Sequence, residues 1–260
     1  MKISDLKAFK QSGEKITCLT AYDASFSRLF DACGIDIILV GDSLGNVIQG
    51  GENTLGVTME DMIYHTQSVA KGIQDALLIA DMPYQSYESA DQTLANAQRL
   101  IDAGAQMVKF EGGQEHKDSF EILQANNIPV CGHLGLQPQS VIEMGGYKVQ
   151  GKDEASANRI IDDALALEAL GVDVLVLECV PAELAKKVSQ AISIPTIGIG
   201  AGVDCDGQVL VSYDMLGINT GHMPKFVKNF LKGNSDIQGA VNAFIGAVKN
   251  QTFPGDEHSY

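Results

Sequence analysis

Eight short apolar runs alternate with stretches of helical periodicity along this chain, and that rhythm constrains its fold more than any other feature. The runs lie at Ile16–Thr20, Asp36–Gly41, Ala76–Asp81, Met107–Glu111, Pro129–His133, Asp173–Glu178, Pro195–Ile199 and Gln208–Asp214. Helical patterns lie between them, among others Met59–Gly72, Ala90–Ala103, Ser119–Asn126, Ala155–Leu170 and Pro181–Ile192. Such alternation is the pattern of repeated βα units. Glycine follows several helical patterns, in Asp31-Ala-Cys-Gly34, Asp102-Ala-Gly104 and Leu170-Gly171, where a helix cap wants it.

Eight strands with parallel crossovers predict an α/β fold, a single TIM-type (β/α)8 barrel over residues 1–260. Ile3–Gln11 reads as an extra N-terminal helix closing the barrel bottom. Gly200–Gly207, between the seventh and eighth runs, is too short for an ordinary crossover helix. The competing fold, a doubly wound open sheet, usually opens with a Gly-rich fingerprint after its first strand. Here the first run leads into Ala21-Tyr-Asp-Ala, so the barrel is expected. No Pro/Ser-rich linker or shift in composition divides the chain, and barrels of about 200–250 residues commonly form one domain.

Acidic residues outnumber basic ones 33 to 18, giving a net charge of −15. Phosphate backbones and anionic lipid would be repelled, which argues against nucleic-acid and membrane-surface roles. The longest apolar stretches, around Ile35–Val40 and Val172–Leu177, fall far short of the roughly 18 residues that span a bilayer. Met1-Lys-Ile-Ser-Asp-Leu lacks the apolar core of a secretion signal. Cys18, Cys33, Cys131, Cys179 and Cys205 are dispersed, without a CxxC, and read as free thiols of a reducing compartment. A cytoplasmic protein is expected.

Acidic residues end several strands: Asp42 after the second, Asp81 at the third, Glu111 at the fourth and Glu178 at the sixth. Side chains alternate along a strand, and the outer face must meet apolar helices. Val108 and Phe110 therefore point outward and Lys109 and Glu111 inward; the same parity groups Ile79 with Asp81, and Val174 and Val176 with Glu178. With neighbouring strands about 5 Å apart, Asp42, Asp81 and Glu111 can converge. Three such carboxylates would repel one another unless a hard divalent cation, Mg²⁺ by its preference for oxygen, joined them. The alternative is that each acid caps the helix after its strand. Lys109 reads as the charge partner of an anionic substrate or of a neighbouring acid. His133 could bond a substrate oxygen, move a proton, or simply satisfy the structure. His65, His116, His222 and His258 have weaker settings. Gly41–Val57 is a long loop at the barrel mouth, where such enzymes keep their sites. Gly198-Ile-Gly-Ala-Gly202 reads as a tight turn in place of the missing helix rather than a phosphate cradle.

These residues stand in motifs that resemble the ketopantoate hydroxymethyltransferase family. They include Leu19-Thr-Ala-Tyr-Asp23, Val40-Gly-Asp-Ser-Leu-Gly45, Asp81-Met-Pro-Tyr84 and Val108-Lys-Phe-Glu-Gly112. His133-Leu-Gly-Leu-Gln-Pro-Gln139, Gly145-Gly-Tyr-Lys-Val-Gln-Gly151 and Glu178-Cys-Val-Pro181 continue the series in order. Asn46 and Gln49 depart from the apolar residues expected there, and Tyr213 stands where histidine is common. The resemblance implies a (β/α)8 barrel, usually a homodecamer, using Mg²⁺ and 5,10-methylenetetrahydrofolate to hydroxymethylate 3-methyl-2-oxobutanoate. It implies Mg²⁺ ligation by Asp42, Asp81 and Glu111. It also implies oxoacid binding by Ser43 and Lys109, with Asp42 and Asp81 lining the pocket, and acid–base work by Glu178. Another Mg²⁺-enolate enzyme, such as an isocitrate-lyase-type C–C lyase, would share the carboxylates. It would normally need a cysteine-bearing loop of the Lys-Lys-Cys-Gly kind, which is not evident here. A non-enzymatic ligand-binding barrel would have no need of Glu178.

Overall fold

The computed structural model describes residues 1–219, 221 and 223–260. Eight parallel strands close on themselves in sequence order: β1 (Ile16–Thr20), β2 (Ile37–Val40), β3 (Leu77–Asp81), β4 (Met107–Glu111), β5 (Val130–Gly135), β6 (Val174–Glu178), β7 (Thr196–Ile199) and β8 (Gly207–Leu210). The expected TIM-type barrel is therefore the observed one. Closure runs through β8 against β1, with Ile16 opposite Gly207 and Leu19 opposite Leu210. The approach there is close. A Cβ on Gly207 would stand 2.5 Å from the Ile16 carbonyl oxygen and 2.7 Å from Ile197 Cδ1, so only glycine fits the seam.

Parity behaves as the alternation requires. Cys18, Ile37, Leu39, Ile79, Lys109, Cys131, Val174, Val176, Ile197 and Val209 turn into the barrel and fill it. Phe110, one residue from Lys109, is fully buried on the outside, stacked on Phe120 with ring centroids 4.4 Å apart. That stack ties β4 to the helix Lys117–Ala125. Burying a phenylalanine of this kind stabilises the fold by roughly 1.5–3 kcal/mol.

The helix Ile3–Ser12 buries Leu6, as expected of the extra helix, and ends at Gly13 in the left-handed region. Two parts of the last βα unit differ from the sequence expectation. The strand ends at Leu210 rather than Asp214, and Ser212–Met215 is a turn of helix. The reason is local: the Ser212 backbone N–H leaves the ladder and donates to Thr20 Oγ1 at 3.0 Å. The outer helix of that unit is Ile237–Lys249, capped by Asp236 and burying Ala240, Val241, Phe244 and Val248. No helix separates β7 from β8, as the short Gly200–Gly207 segment demands. All five cysteines are free. Among the described residues no helix is long and apolar enough to cross a membrane.

Candidate active site

The predicted side chains gather at the C-terminal mouth in two groups. In the first, Lys109 Nζ donates to Asp81 Oδ1 at 2.7 Å, and the Asp42 backbone N–H donates to Asp81 Oδ2 at 3.1 Å. All three residues are buried. Ser43, next along, shares a hydrogen bond of 2.8 Å with the Tyr22 hydroxyl. In the second group, His133 Nε2 lies 3.2 Å from Glu178 Oε2, and its Nδ1 lies 3.6 Å from Glu111 Oε1. Neither contact has hydrogen-bond geometry, so both ring nitrogens are buried and unpartnered.

Local backbone places Glu178. β5 runs to Gly135, whose φ of 93° turns the chain so that the Leu136 N–H donates to the Glu178 carbonyl at 2.8 Å. A Cβ at that glycine would fall 2.2 Å from the same carbonyl oxygen. Directly after Glu178, Cys179 holds φ at 47°, a strained value for a residue with a side chain. Hydrogen bonds hold it on both sides, the Cys179 N–H donating to the Ile199 carbonyl and the Gln150 N–H to the Cys179 carbonyl, each at 2.9 Å.

None of the four acids caps the helix after its own strand. The caps there are Ser43 and Thr58 after β2, Ser89 after β3, His116 after β4 and Pro181 after β6. The capping alternative therefore has no support, and the acids face the mouth instead.

Burial governs the protonation of the cluster. It raises Asp42 to about 7, with Asp81 adding to the shift, and raises Glu178 to about 8 against the pull of Lys109. Burial, then Asp42, holds Glu111 well above the usual carboxylate range. Burial would lower Lys109, but Asp81, Asp42 and Glu111 outweigh it and hold the amine above its ordinary value. His133 is pushed well below its ordinary value by burial and by Lys109, so the imidazole is neutral. Four carboxyl groups thus surround one firmly charged lysine.

A family model described as ketopantoate hydroxymethyltransferase matches residues 1–256. The chain belongs to the ketopantoate hydroxymethyltransferase family. A 3-methyl-2-oxobutanoate hydroxymethyltransferase of Ruthia magnifica subsp. Calyptogena magnifica is 72% identical over 260 residues, with 100% of both chains covered. One from Shewanella halifaxensis is 56% identical over 257 residues, covering 99% of this chain and 97% of that one. The barrel is also similar to phosphonopyruvate hydrolase complexed with oxalate and Mg²⁺. That likeness has a TM-score of 0.62 at 14% identity and covers 80% of each chain. A second fold likeness is 2,3-dimethylmalate lyase, of the PEP mutase/isocitrate lyase superfamily, with a TM-score of 0.61 at 15% identity, covering 83% of this chain and 82% of that one. At those identities the likeness is one of fold.

Within this family's barrel the donor set suits Mg²⁺. The neighbouring carboxylates Asp42 and Asp81 offer only oxygen, and the buried Thr54 hydroxyl, in the same loop as Asp42, lies close enough to act on its carboxyl. Among the described residues no three His, Cys, Asp or Glu side chains form a ready-made cage. Mg²⁺ does not require one, since it is usually held by one or two carboxylates with substrate and water completing the shell. Glu111 faces the same mouth, but one oxygen accepts the Gln139 N–H at 3.0 Å and the other lies toward His133.

The remaining histidines sit elsewhere. His65 Nδ1 lies 2.6 Å from the Tyr22 carbonyl, His116 packs on Tyr87 and Phe110, and His258 packs on Phe253. His222 lies outside the described residues. Gly200 turns with φ of 63°, and Gln208 Nε2 donates to the Gly202 carbonyl, so the glycine run is a turn within the barrel wall. Sequence reasoning missed Tyr22, Tyr87 and Gln139 as contributors to the mouth. Tyr22 and Gln139 carried a signal, standing in the Leu19–Asp23 and His133–Gln139 motifs; Tyr87 carried none.

Proposed function

We propose that this chain converts 3-methyl-2-oxobutanoate, 5,10-methylenetetrahydrofolate and water into 2-dehydropantoate and tetrahydrofolate, a step toward pantothenate and coenzyme A. The observation that carries the reading is Glu178: a largely covered carboxyl with a raised pKa, beside a neutral imidazole and across the mouth from the Asp42–Asp81–Lys109 group. One side of the mouth suits an anion and a cation; the other suits proton transfer.

Asp42 and Asp81, with Glu111 facing them, would hold Mg²⁺. The cation would supply Lewis-acid polarisation of the 2-oxo group, making C3 more acidic. Lys109 offers its charge to the substrate carboxylate, and Ser43 offers a hydroxyl already oriented by Tyr22. Glu178, as the carboxylate, takes the C3 proton. Its reduced solvation makes it a stronger base than an exposed glutamate. C3 then bonds to the one-carbon unit and water supplies its hydroxyl as that carbon's two bonds to the folate nitrogens break, the proton from C3 and one from water passing to those nitrogens. His133, its ring nitrogens unpartnered, would donate to a substrate oxygen or steady Glu178. The family membership supports the further reading of one barrel unit that self-associates, as a homodecamer, in the cytoplasm.

The test is an incubation with Mg²⁺ and 3-methyl-2-oxobutanoate in D₂O, with and without the folate. Deuterium should enter C3 without folate, and 2-dehydropantoate should appear only with it. No exchange and no product would overturn the reading. Light scattering should show an assembly well above the 27.7 kDa of one chain. An active 27.7 kDa species would refute self-association.

A further inference from the structure

The first group of the mouth depends on a residue that none of the roles above uses. Gln139 is buried in a short turn after β5, Pro138–Ser140, and reaches back to the ends of three other strands. Its side-chain Nε2 donates to Asp42 Oδ2 at 2.8 Å and to the Met82 carbonyl at 3.0 Å. Its Oε1 accepts from the Tyr87 hydroxyl at 2.6 Å. Its backbone N–H donates to Glu111 Oε2 at 3.0 Å.

The amide can sit only one way round. The Met82 carbonyl has no hydrogen to give, so the NH₂ must face it, and the oxygen must face Tyr87. Both Nε2 hydrogens are then used, one on Met82 and one on Asp42. The backbone N–H is one of the unpaired donors at the start of a helical turn, and Glu111 takes it. Gln139 therefore offers only donors to the two carboxyl groups, which favours their ionised, ligating form. Tyr87 is itself fixed, its ring packed 5.0 Å from Phe110 and 5.1 Å from His116, centroid to centroid. The clamp is thus anchored in the packed layer outside β4.

We infer that Gln139 is a positioning residue for the cation site: it sets Asp42 through its side chain and Glu111 through its backbone, and Tyr87 locks its amide. This rests on the cation-binding reading of those two acids given above. Outer partners of metal ligands commonly change affinity by about 10–100-fold when removed.

Binding of Mn²⁺ followed by electron paramagnetic resonance, with neither oxoacid nor folate present, reads the effect without turnover. Gln139→Met keeps the volume and loses every side-chain hydrogen bond; the dissociation constant should rise about 10–100-fold. Gln139→Glu keeps the shape and can still accept from Tyr87, but lacks both Nε2 donors; it should weaken binding too, which a packing role would not require. Tyr87→Phe frees the amide without removing it, and a rise of about 2–5-fold is expected as a fraction of that loss. Circular dichroism establishes that each variant is folded. Affinity within twofold of wild type in folded Gln139→Met, or unchanged or tighter binding in Gln139→Glu, would overturn the assignment. If Gln139→Met does not fold, unchanged affinity in Tyr87→Phe overturns it instead. Wild-type protein that binds neither Mn²⁺ nor Mg²⁺ would sink the cation reading, and this assignment with it. Tight wild-type binding beside unaltered variants sinks the positioning role alone.

Discussion

The two sides of the barrel mouth treat buried polarity in opposite ways. Around β2–β4, Lys109, Asp81, Asp42 and Gln139 form an unbroken chain of hydrogen bonds. Around β5–β6, His133 stands within 3.2 Å of Glu178 and 3.6 Å of Glu111, yet makes no hydrogen bond. Satisfied buried networks are rigid, and unsatisfied ones are costly unless something completes them. The first side is therefore built to hold a shape for binding. The second keeps reactive groups free to exchange a proton with whatever binds.

Breaking the second side should produce the largest effect. Glu178→Gln is nearly isosteric but cannot accept a proton, so deuterium exchange at C3 should fall about 10²–10⁴-fold. Oxoacid binding should persist, because the first side is untouched. Near-normal exchange in the folded, metal-loaded variant would remove Glu178 from the mechanism. His133→Asn in the same assay serves as the control: loss of exchange there, with Glu178→Gln unaffected, would move the role to His133.

Breaking the first side should cost affinity and stability instead. Asp81→Asn keeps the shape but removes a negative charge, and Mg²⁺ affinity should drop about 10–100-fold by calorimetry. Full activity in excess chelator, after metal analysis confirms its removal, would contradict the role of the acids. Lys109→Met takes the single cation out of a cluster of buried carboxyl groups. Removing one partner of a buried pair typically costs about 3–5 kcal/mol, so denaturant melts at neutral pH should show a loss of that order. Adding Mg²⁺ should restore part of it, since cation binding stabilises the folded state by mass action. An unchanged midpoint would show that the Lys109–Asp81 pair is dispensable to the fold.

Much of this arrangement was legible in the sequence because strands are periodic. Alternation alone put Lys109 and Glu111 inside and Phe110 outside, and the observed barrel keeps that parity. The strand ends carrying Asp81, Glu111 and Glu178 were read to the residue. The last strand was read too long because no glycine or proline stands between Val209–Val211 and Ser212–Met215 to mark its end. What ends the strand is a tertiary bond, from Ser212 N–H to Thr20 Oγ1, contributed by a residue 192 positions away. Gln139 stood in a motif, but its contacts were illegible for the same reason. A glutamine in a loop has no periodicity, and its role exists only once β5 lies beside β4 and the loop folds back over β2. The proximity of His133 to Glu178 was also a matter of register: Gly135 pairs with Glu178 and His133 with Val176, so the imidazole crosses to the neighbouring strand's acid.

The smallest predicted effect tests why Glu178 is basic. Its raised value, about 8, comes first from burial, so it should respond to the polarity of its surroundings. Val176 lies one inward position earlier on β6 and pairs with His133. Val176→Thr keeps the branched shape and adds one hydroxyl that can hydrogen-bond a carboxylate. A hydrogen bond to the charged form stabilises it and lowers the pKa. The proton-accepting form of Glu178 exists above its pKa, so C3 exchange must climb with pH along an acidic limb. In wild type that limb should lie above the ordinary carboxylate range, toward 8. In Val176→Thr it should move to lower pH by about half a unit, equivalent to roughly 0.7 kcal/mol. The plateau rate at high pH should fall slightly, because a less basic carboxylate is a weaker acceptor. The pH profile of exchange with Mg²⁺ alone measures both quantities. A wild-type limb near the ordinary glutamate value would show that burial does not set the basicity. A limb that stays in place in the threonine variant would show that Val176 has no part in it.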